Sequence, residues 1–127
     1  ARIGSCRPGE EDIVGLHAYG REPTHRVDVA NRDLLMEFCT DRSYAVANTF
    51  THRPSTERVT FREPGTASMA EPDVLKLSML DLLLLPRDYL EEIATVCSIR
   101  EAALASSHFL VYCKIGIDYV KDITHDR

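Results

Sequence analysis

The sequence predicts an α/β fold of the α+β kind, with one main helix and mostly antiparallel strands. Three observations support this prediction. Residues 1–29 show no regular hydrophobic period, segment 31–43 has the period of one amphipathic helix, and the later segments are short and either apolar or alternating. The order of loop, helix and then strands is typical of α+β or layered α/β domains.

The amino-terminal segment 1–29 is predicted to be irregular, because glycine and proline punctuate it at short intervals. It also carries three consecutive acidic residues, Glu10, Glu11 and Asp12. A solvated charge run is the expected arrangement for such a cluster, and metal binding is the alternative.

Segment 31–43, NRDLLMEFCTDRS, is the clearest helix in the sequence. Asn31 is a good N-cap residue, and Asp33 falls in the first turn, where the helix dipole favours an acidic side chain. Apolar residues recur at i, i+1, i+4 and i+5. The stripe that they form is expected to face the core and consists of Leu34, Leu35, Phe38 and Cys39.

Five segments are predicted as strands: YAVANTF (44–50), RVTFRE (58–63), LKLSMLDLLLL (75–85), IATVCSI (93–99) and HFLVYCKIG (108–116). The second of them alternates, which places Val59 and Phe61 on one face and Arg58, Thr60 and Arg62 on the other. For this polar face we expect a solvated edge, with contact to a phosphate backbone as the alternative.

Segment 75–85 is predicted as a central strand, since beyond its first residues it is apolar on both faces. Segment 86–92 begins with proline and is predicted as a short helix. Segment 63–73 is predicted as a long loop, and residues 118–127 as a polar tail. In the last strand, the residues expected to face inward are Phe109, Val111, Cys113 and Ile115.

Composition and charge limit the classes of protein that fit. Of the 127 residues, 44% are hydrophobic and 28% are charged, as in ordinary globular domains. The longest apolar run, 79–86, is too short for a bilayer span, and no secretory signal is visible, so we expect an intracellular protein without a membrane partner. The net charge of −5 is not that of a free-standing nucleic-acid binder, although arginines outnumber lysines 12 to 3.

The cysteines and most of the histidines show no metal-ligand spacing. The cysteines are widely separated and are expected to be reduced thiols, with disulfides as the alternative; they are Cys6, Cys39, Cys97 and Cys113. Four histidines are predicted to be surface residues: His17, His25, His52 and His125. Asn48 is predicted to hydrogen-bond the backbone at the end of a strand, and a place in a catalytic groove is the alternative.

Asp81 is the most informative residue, because it stands between Leu80 and Leu82 in an apolar strand. An ionised carboxylate in such surroundings costs several kcal/mol unless it is paired. His108, which opens the last strand, is a candidate partner, since an Asp–His pair fixes the tautomer of the ring and stabilises its protonated form. The alternative is that Asp81 caps a nearby turn and that His108 is a polar residue at a strand edge.

Several segments occur together in the order and spacing of one protein family. From residue 1 to about 117 the chain resembles the C-terminal half of the endonuclease/exonuclease/phosphatase domain, in particular the endonucleases of non-LTR (LINE-type) retrotransposons and craniofacial development protein-like sequences. The segments are EDIVGLHAYG, NRDLLMEFCTDRSYAVANTFTHR, RVTFREPG, MLDLLLLPRDYLEEI and ASSHFLVYCKIGI.

Three family motifs carry this resemblance. The N-G-x-x-L-x-x-F-C helix is matched at Asn31, Leu35, Phe38 and Cys39. The I-D-Y/F-I-L strand of the family is matched by LDLLL, and its S-D-H-x-x-V end by SSHFLV.

The resemblance implies a partial four-layer α/β sandwich, Mg²⁺ as the family's cofactor, DNA as a partner and a nuclear location. It also implies a metal-dependent phosphodiester hydrolase, that is, a DNA endonuclease of retroelement origin. By the same resemblance, Asp81 pairs with His108, and His108 acts at the scissile phosphate by stabilising the developing charge or orienting the attacking water.

Two departures from the family pattern bear on activity. Ser107 stands where the family has an aspartate, and a hydroxyl cannot replace a charged metal ligand well, so the metal-binding residues stay unknown. The family's G-D-x-N motif would lie before Ala1. We therefore expect residues 1–117 to form half of a domain that binds Mg²⁺ weakly, is inactive alone and can self-associate through an uncovered sheet face. The alternative is a non-catalytic relic or a small α+β protein-binding module.

Overall fold

One α-helix and six short strands organise the residues that the computed structural model describes, which are 1–54, 57–62, 77–99 and 108–116. The predicted loop 63–73, Ser107 and the predicted tail 118–127 lie outside these residues. The elements are α1 (Arg26–Arg42), β1 (Tyr44–Val46), β2 (Phe61–Arg62), β3 (Leu77–Ser78), β4 (Leu84–Pro86), β5 (Ile93–Ile99) and β6 (Leu110–Ile115).

Within the described residues the strands form three antiparallel pairs, β1 with β4, β2 with β3, and β5 with β6. The predicted mixed fold, with one main helix and antiparallel strands, is therefore confirmed at this level. The strand predicted at 93–99 matches β5 at both ends. The short helix predicted after Pro86 is a 3₁₀ helix over Arg87–Glu92.

Helix α1 begins earlier than the sequence predicted. Asn31 lies inside the helix, and the N-cap position belongs to His25, whose side chain makes no capping hydrogen bond. The extra turn carries Asp28, whose charge the helix dipole stabilises near the amino end. Its valines have modest helix propensity and do not continue the predicted stripe, which is why the pattern concealed this turn.

The buried face of α1 also differs from the predicted stripe. Leu34 is 63% exposed and Phe38 is 40% exposed, so two of the four predicted core positions face solvent. Cys39 is fully buried and Leu35 packs against the core, as predicted. The unpredicted member of the buried face is Arg32, which is only 1% exposed.

Arg32 can be buried because each of its three guanidinium nitrogens donates at least one hydrogen bond. Two of its nitrogens donate to the two carboxylate oxygens of Glu10, at 2.7 and 2.6 Å. The remaining donors reach the carbonyl oxygens of Ile3 and Ser5, both at 2.9 Å. Glu10 is therefore not part of a solvated run, as the sequence suggested, but fixes the amino-terminal segment to α1. Glu11 and Asp12 are exposed, as predicted.

Three of the predicted strands differ from the prediction within the described residues. In place of a central strand at 75–85, the described residues form β3 and β4 with a bend at Asp81 between them. Segment 58–63 does not alternate, because the adjacent residues Val59 and Thr60 are both buried. Segment 44–50 is strand only over β1 and then turns into a 3₁₀ turn over Ala47–Thr49.

In the last strand, one of the residues predicted to face inward is exposed. Ile115 is 40% exposed, whereas Phe109 packs against the core.

The core consists of two clusters of buried apolar residues. The first joins the amino-terminal segment to α1 and β1 through Ile3, Ile13, Val14, Cys39 and Val46. The second lies around β3 and contains Tyr19, Val59, Leu77 and Met79. Leu82 packs against both clusters, so the bend at Asp81 lies directly beside the core.

All four cysteines are unpaired thiols, as predicted, and Cys39 and Cys97 are buried.

Among the residues described, no helix has the length and the apolar composition that a membrane crossing requires.

Gly15 is required by the close approach of its chain to the 3₁₀ turn. Its N–H donates to the Thr49 hydroxyl at 2.7 Å, and a Cβ at this position would overlap the Thr49 carbonyl group. We expect Gly15→Ala to lower the free energy of unfolding by about 1–3 kcal/mol through overpacking, as measured by urea denaturation. Gly116→Ala is the control, because an added Cβ there meets nothing closer than 3.7 Å. Equal effects of the two substitutions would contradict this explanation.

Candidate active site

Asp81 and His108 form a hydrogen-bonded pair. Nδ1 of His108 lies 2.7 Å from Oδ2 of Asp81, and the two residues come from different parts of the chain. The predicted contact between them is therefore confirmed. The predicted burial is wrong, because the side chains of Asp81 and His108 are 42% and 50% exposed. The carboxylate lies in an exposed bend, so solvent and the imidazole together stabilise its charge.

His108 is positioned by contacts with the strand segment around Phe61. The two residues form an isolated antiparallel bridge, and their ring centres are 4.9 Å apart with the planes inclined by 55°. The next residue, Phe109, donates its N–H to the Thr60 carbonyl at 2.8 Å and packs against the core. The position of the His108 ring is therefore fixed by the hydrogen-bonded backbone around it and by its contact with the Phe61 ring.

Asp81 is positioned by the buried side chains of Thr60 and Asn48. The Thr60 hydroxyl accepts the N–H groups of Leu80 and Asp81, at 2.8 and 2.9 Å. The Asn48 amide donates to the Asp81 carbonyl at 3.1 Å and accepts the Leu83 N–H at 2.7 Å. Because Thr60 and Asn48 are 1% and 4% exposed, water cannot easily replace these hydrogen bonds.

These two positioning residues were only partly found from the sequence. Asn48 was predicted to hydrogen-bond the backbone, and this is confirmed. Thr60 was assigned to a solvated polar face, which is wrong, because its side chain is buried and holds the bend. The sequence signal that could have identified both residues is a hydroxyl or amide side chain within an apolar segment. Such a polar group must find hydrogen-bond partners when it is buried.

Arg58 was predicted on the same polar face as Thr60. Its guanidinium lies over the Tyr19 ring, 5.7 Å from the ring centre, and Nη1 donates to the His17 carbonyl at 3.2 Å. The side chain is half-buried rather than solvated, so this part of the prediction is also wrong.

The pair can support acid–base chemistry or charge stabilisation. A carboxylate that accepts from Nδ1 fixes the tautomer and the orientation of the imidazole. The second ring nitrogen, Nε2, is then the one that acts on a substrate, and the half-exposed ring is within reach of one.

In the part of the chain that the structure describes, no three His, Cys, Asp or Glu side chains lie close enough together to hold a metal ion. Mg²⁺ is commonly held by one or two carboxylates together with several waters and substrate phosphates.

Comparison with protein families, with curated proteins and with solved structures finds no match to this chain.

Proposed function

We propose that the chain is part of a metal-dependent phosphodiester hydrolase of the endonuclease/exonuclease/phosphatase type, with Asp81 and His108 acting at the scissile phosphate. The observation that carries the proposal is the 2.7 Å contact between Nδ1 of His108 and Oδ2 of Asp81. The motif order of the sequence supports the same family, including its four-layer sandwich and a DNA substrate.

In this proposal the two residues have different roles. Asp81 orients the imidazole and stabilises positive charge on it. His108 directs Nε2 to the substrate, where it stabilises the charge that develops on a phosphate oxygen or orients the attacking water. An imidazole that keeps one orientation loses less conformational freedom when the substrate binds.

We also propose that the chain by itself does not cleave DNA. The described residues lack a metal-binding cluster, and Ser107 replaces the aspartate of the family motif. A net charge of −5 opposes the approach of a polyanion. In this proposal, further metal ligands come from outside the described residues.

The proposal predicts a phosphodiester response at His108 without cleavage. In ring nitrogen NMR spectra, a short DNA duplex added at low salt is expected to shift the signals of His108. Asp81→Asn should reduce this shift, because an amide no longer stabilises charge on the ring. Plasmid DNA incubated with the chain and Mg²⁺ should show no nicking above background.

The matched control is His25→Gln, which removes an exposed histidine at the start of α1 and should leave the DNA response of His108 unchanged. Unmoved His108 signals at saturating DNA would contradict the proposal. They would favour a non-catalytic protein-binding module. The apolar side chains exposed on α1 are consistent with such a module; they are Val27, Leu34 and Phe38. Nicking that disappears in His108→Ala would instead support the hydrolase and overturn the expected inactivity.

A further inference from the structure

Two histidines that the sequence separates lie side by side in the fold. The ring centres of His17 and His52 are 5.0 Å apart, and the ring planes are inclined by 64°. His17 is half-buried and His52 is exposed. Both histidines were predicted to be surface residues with no common role, because their spacing along the chain matches no ligand motif.

The backbone at His17 is held in place. The His17 N–H donates to the Thr49 carbonyl at 2.9 Å, and the His17 carbonyl accepts from Arg58 at 3.2 Å. Next to His52, the Thr51 hydroxyl donates to the Val96 carbonyl at 3.2 Å. Both histidines therefore lie in segments that hydrogen bonds join to other parts of the fold.

The ring separation matches that of two imidazoles on one metal ion. Two histidine nitrogens bound to Zn²⁺ at about 2.0–2.1 Å, with tetrahedral geometry, place their ring centres about 5 Å apart. The observed separation is 5.0 Å. Rotation about χ2, which is broadly allowed for histidine, changes the direction of the ring nitrogens without movement of the backbone.

We propose that His17 and His52 form a two-histidine site for a transition-metal cation of the Zn²⁺ class, with water completing the coordination. Imidazole suits Zn²⁺, Cu²⁺ and Ni²⁺, whereas Mg²⁺ prefers oxygen ligands. The site uses neither Asp81 nor His108 and goes beyond the proposed phosphodiesterase. It contains two ligands and agrees with the finding that no group of three lies together in the described residues.

Burial lowers the pKa of His17 below its ordinary value, and the neighbouring His52 and Arg58 lower it further. Arg58 also opposes a cation, which limits the affinity.

A pocket of about 240 Å³ lies on one side of His17, where it gives room for water; His52 is not among the residues that line it. Cys6 and Glu11 line it together with apolar residues, and Glu11 brings a negative charge to the pocket. Burial raises the pKa of the Cys6 thiol, so this cysteine stays protonated and competes poorly for the metal.

The test is a Zn²⁺ titration of the full chain, followed through the ring nitrogen signals of its histidines. We expect the signals of His17 and His52 to shift together and saturate, and those of the exposed His25 to stay in place. Mg²⁺ at the same concentrations should shift neither His17 nor His52. His17→Gln and His52→Gln should each weaken Zn²⁺ binding at least tenfold, and His25→Gln should bind as the unchanged protein does.

Three outcomes would overturn the proposal: no saturable shift, equal loss of binding in His25→Gln, or loss of binding in Cys6→Ser. Circular dichroism of each variant shows whether it has folded, and His52→Gln, at an exposed position, keeps the test valid if His17→Gln does not fold. The DNA response of His108 is measured separately, so a failure here leaves the phosphodiesterase proposal standing.

Discussion

Glu10→Gln is expected to lower the free energy of unfolding by about 3–5 kcal/mol, because it leaves a buried guanidinium without its counter-charge. Arg32 is 1% exposed, and both oxygens of Glu10 accept hydrogen bonds from it, at 2.6 and 2.7 Å. The glutamine keeps one acceptor oxygen but carries no charge. Urea denaturation at pH 7 measures the difference.

The control is Glu37→Gln, on the exposed part of α1, which should change the free energy of unfolding by less than about 0.5 kcal/mol. A similar effect of the two substitutions would contradict the assigned role of the Glu10–Arg32 pair.

The same pair determines how stability depends on pH. The hydrogen bonds from Arg32 hold the pKa of Glu10 below its ordinary value. A depressed pKa in the folded state means that the stabilisation is complete above the ordinary pKa of about 4.3 and is lost as the pH falls through the lower, folded value. Stability should therefore decrease from about pH 5 downward, and more steeply in the unchanged protein than in Glu10→Gln.

Asn48→Ala is expected to lower the free energy of unfolding by about 2–4 kcal/mol, because two partly buried backbone groups lose the partners that the buried Asn48 side chain gives them. These groups are the carbonyl of Asp81 and the N–H of Leu83. The bend that carries Asp81 should loosen, so that the contact with His108 is populated for less of the time. The ring nitrogen signals of His108 should then move towards those seen in Asp81→Asn.

Asn31→Ala is the matched control for this substitution. Asn31 is exposed inside α1, where alanine has the higher helix propensity, so the change should be neutral or slightly stabilising. If Asn48→Ala destabilises the protein but leaves the His108 signals unchanged, Asn48 does not position the pair.

The sequence predicted well those features that depend on local pattern. The bounds of β5, the end of α1 and the short helix after Pro86 all follow from apolar runs, a proline and the period of the residues. The residues alone left the contact of Asp81 with His108 as one of two alternatives, and the family resemblance implied it; the contact is present, although the burial that suggested it is not.

The features that the sequence did not predict depend on partners distant in the chain. Arg32 lies in the core only because Glu10 meets it there, and nothing in the helical pattern indicates this. Thr60 is buried because its hydroxyl accepts two N–H groups of the bend, which breaks the expected alternation around it. The separation of His17 from His52 along the chain likewise concealed their contact.

The Asp81–His108 contact joins two sheets that share no strand. Asp81 follows β3, which pairs with β2, whereas His108 precedes β6, which pairs with β5. His108 also forms a bridge with Phe61 of β2, so both side chains are tied to the β2–β3 pair, and opening of that one small sheet would part them. The fraction of molecules with a joined pair therefore follows the opening of two very short strands, and a ligand that bridges both side chains would keep these strands closed.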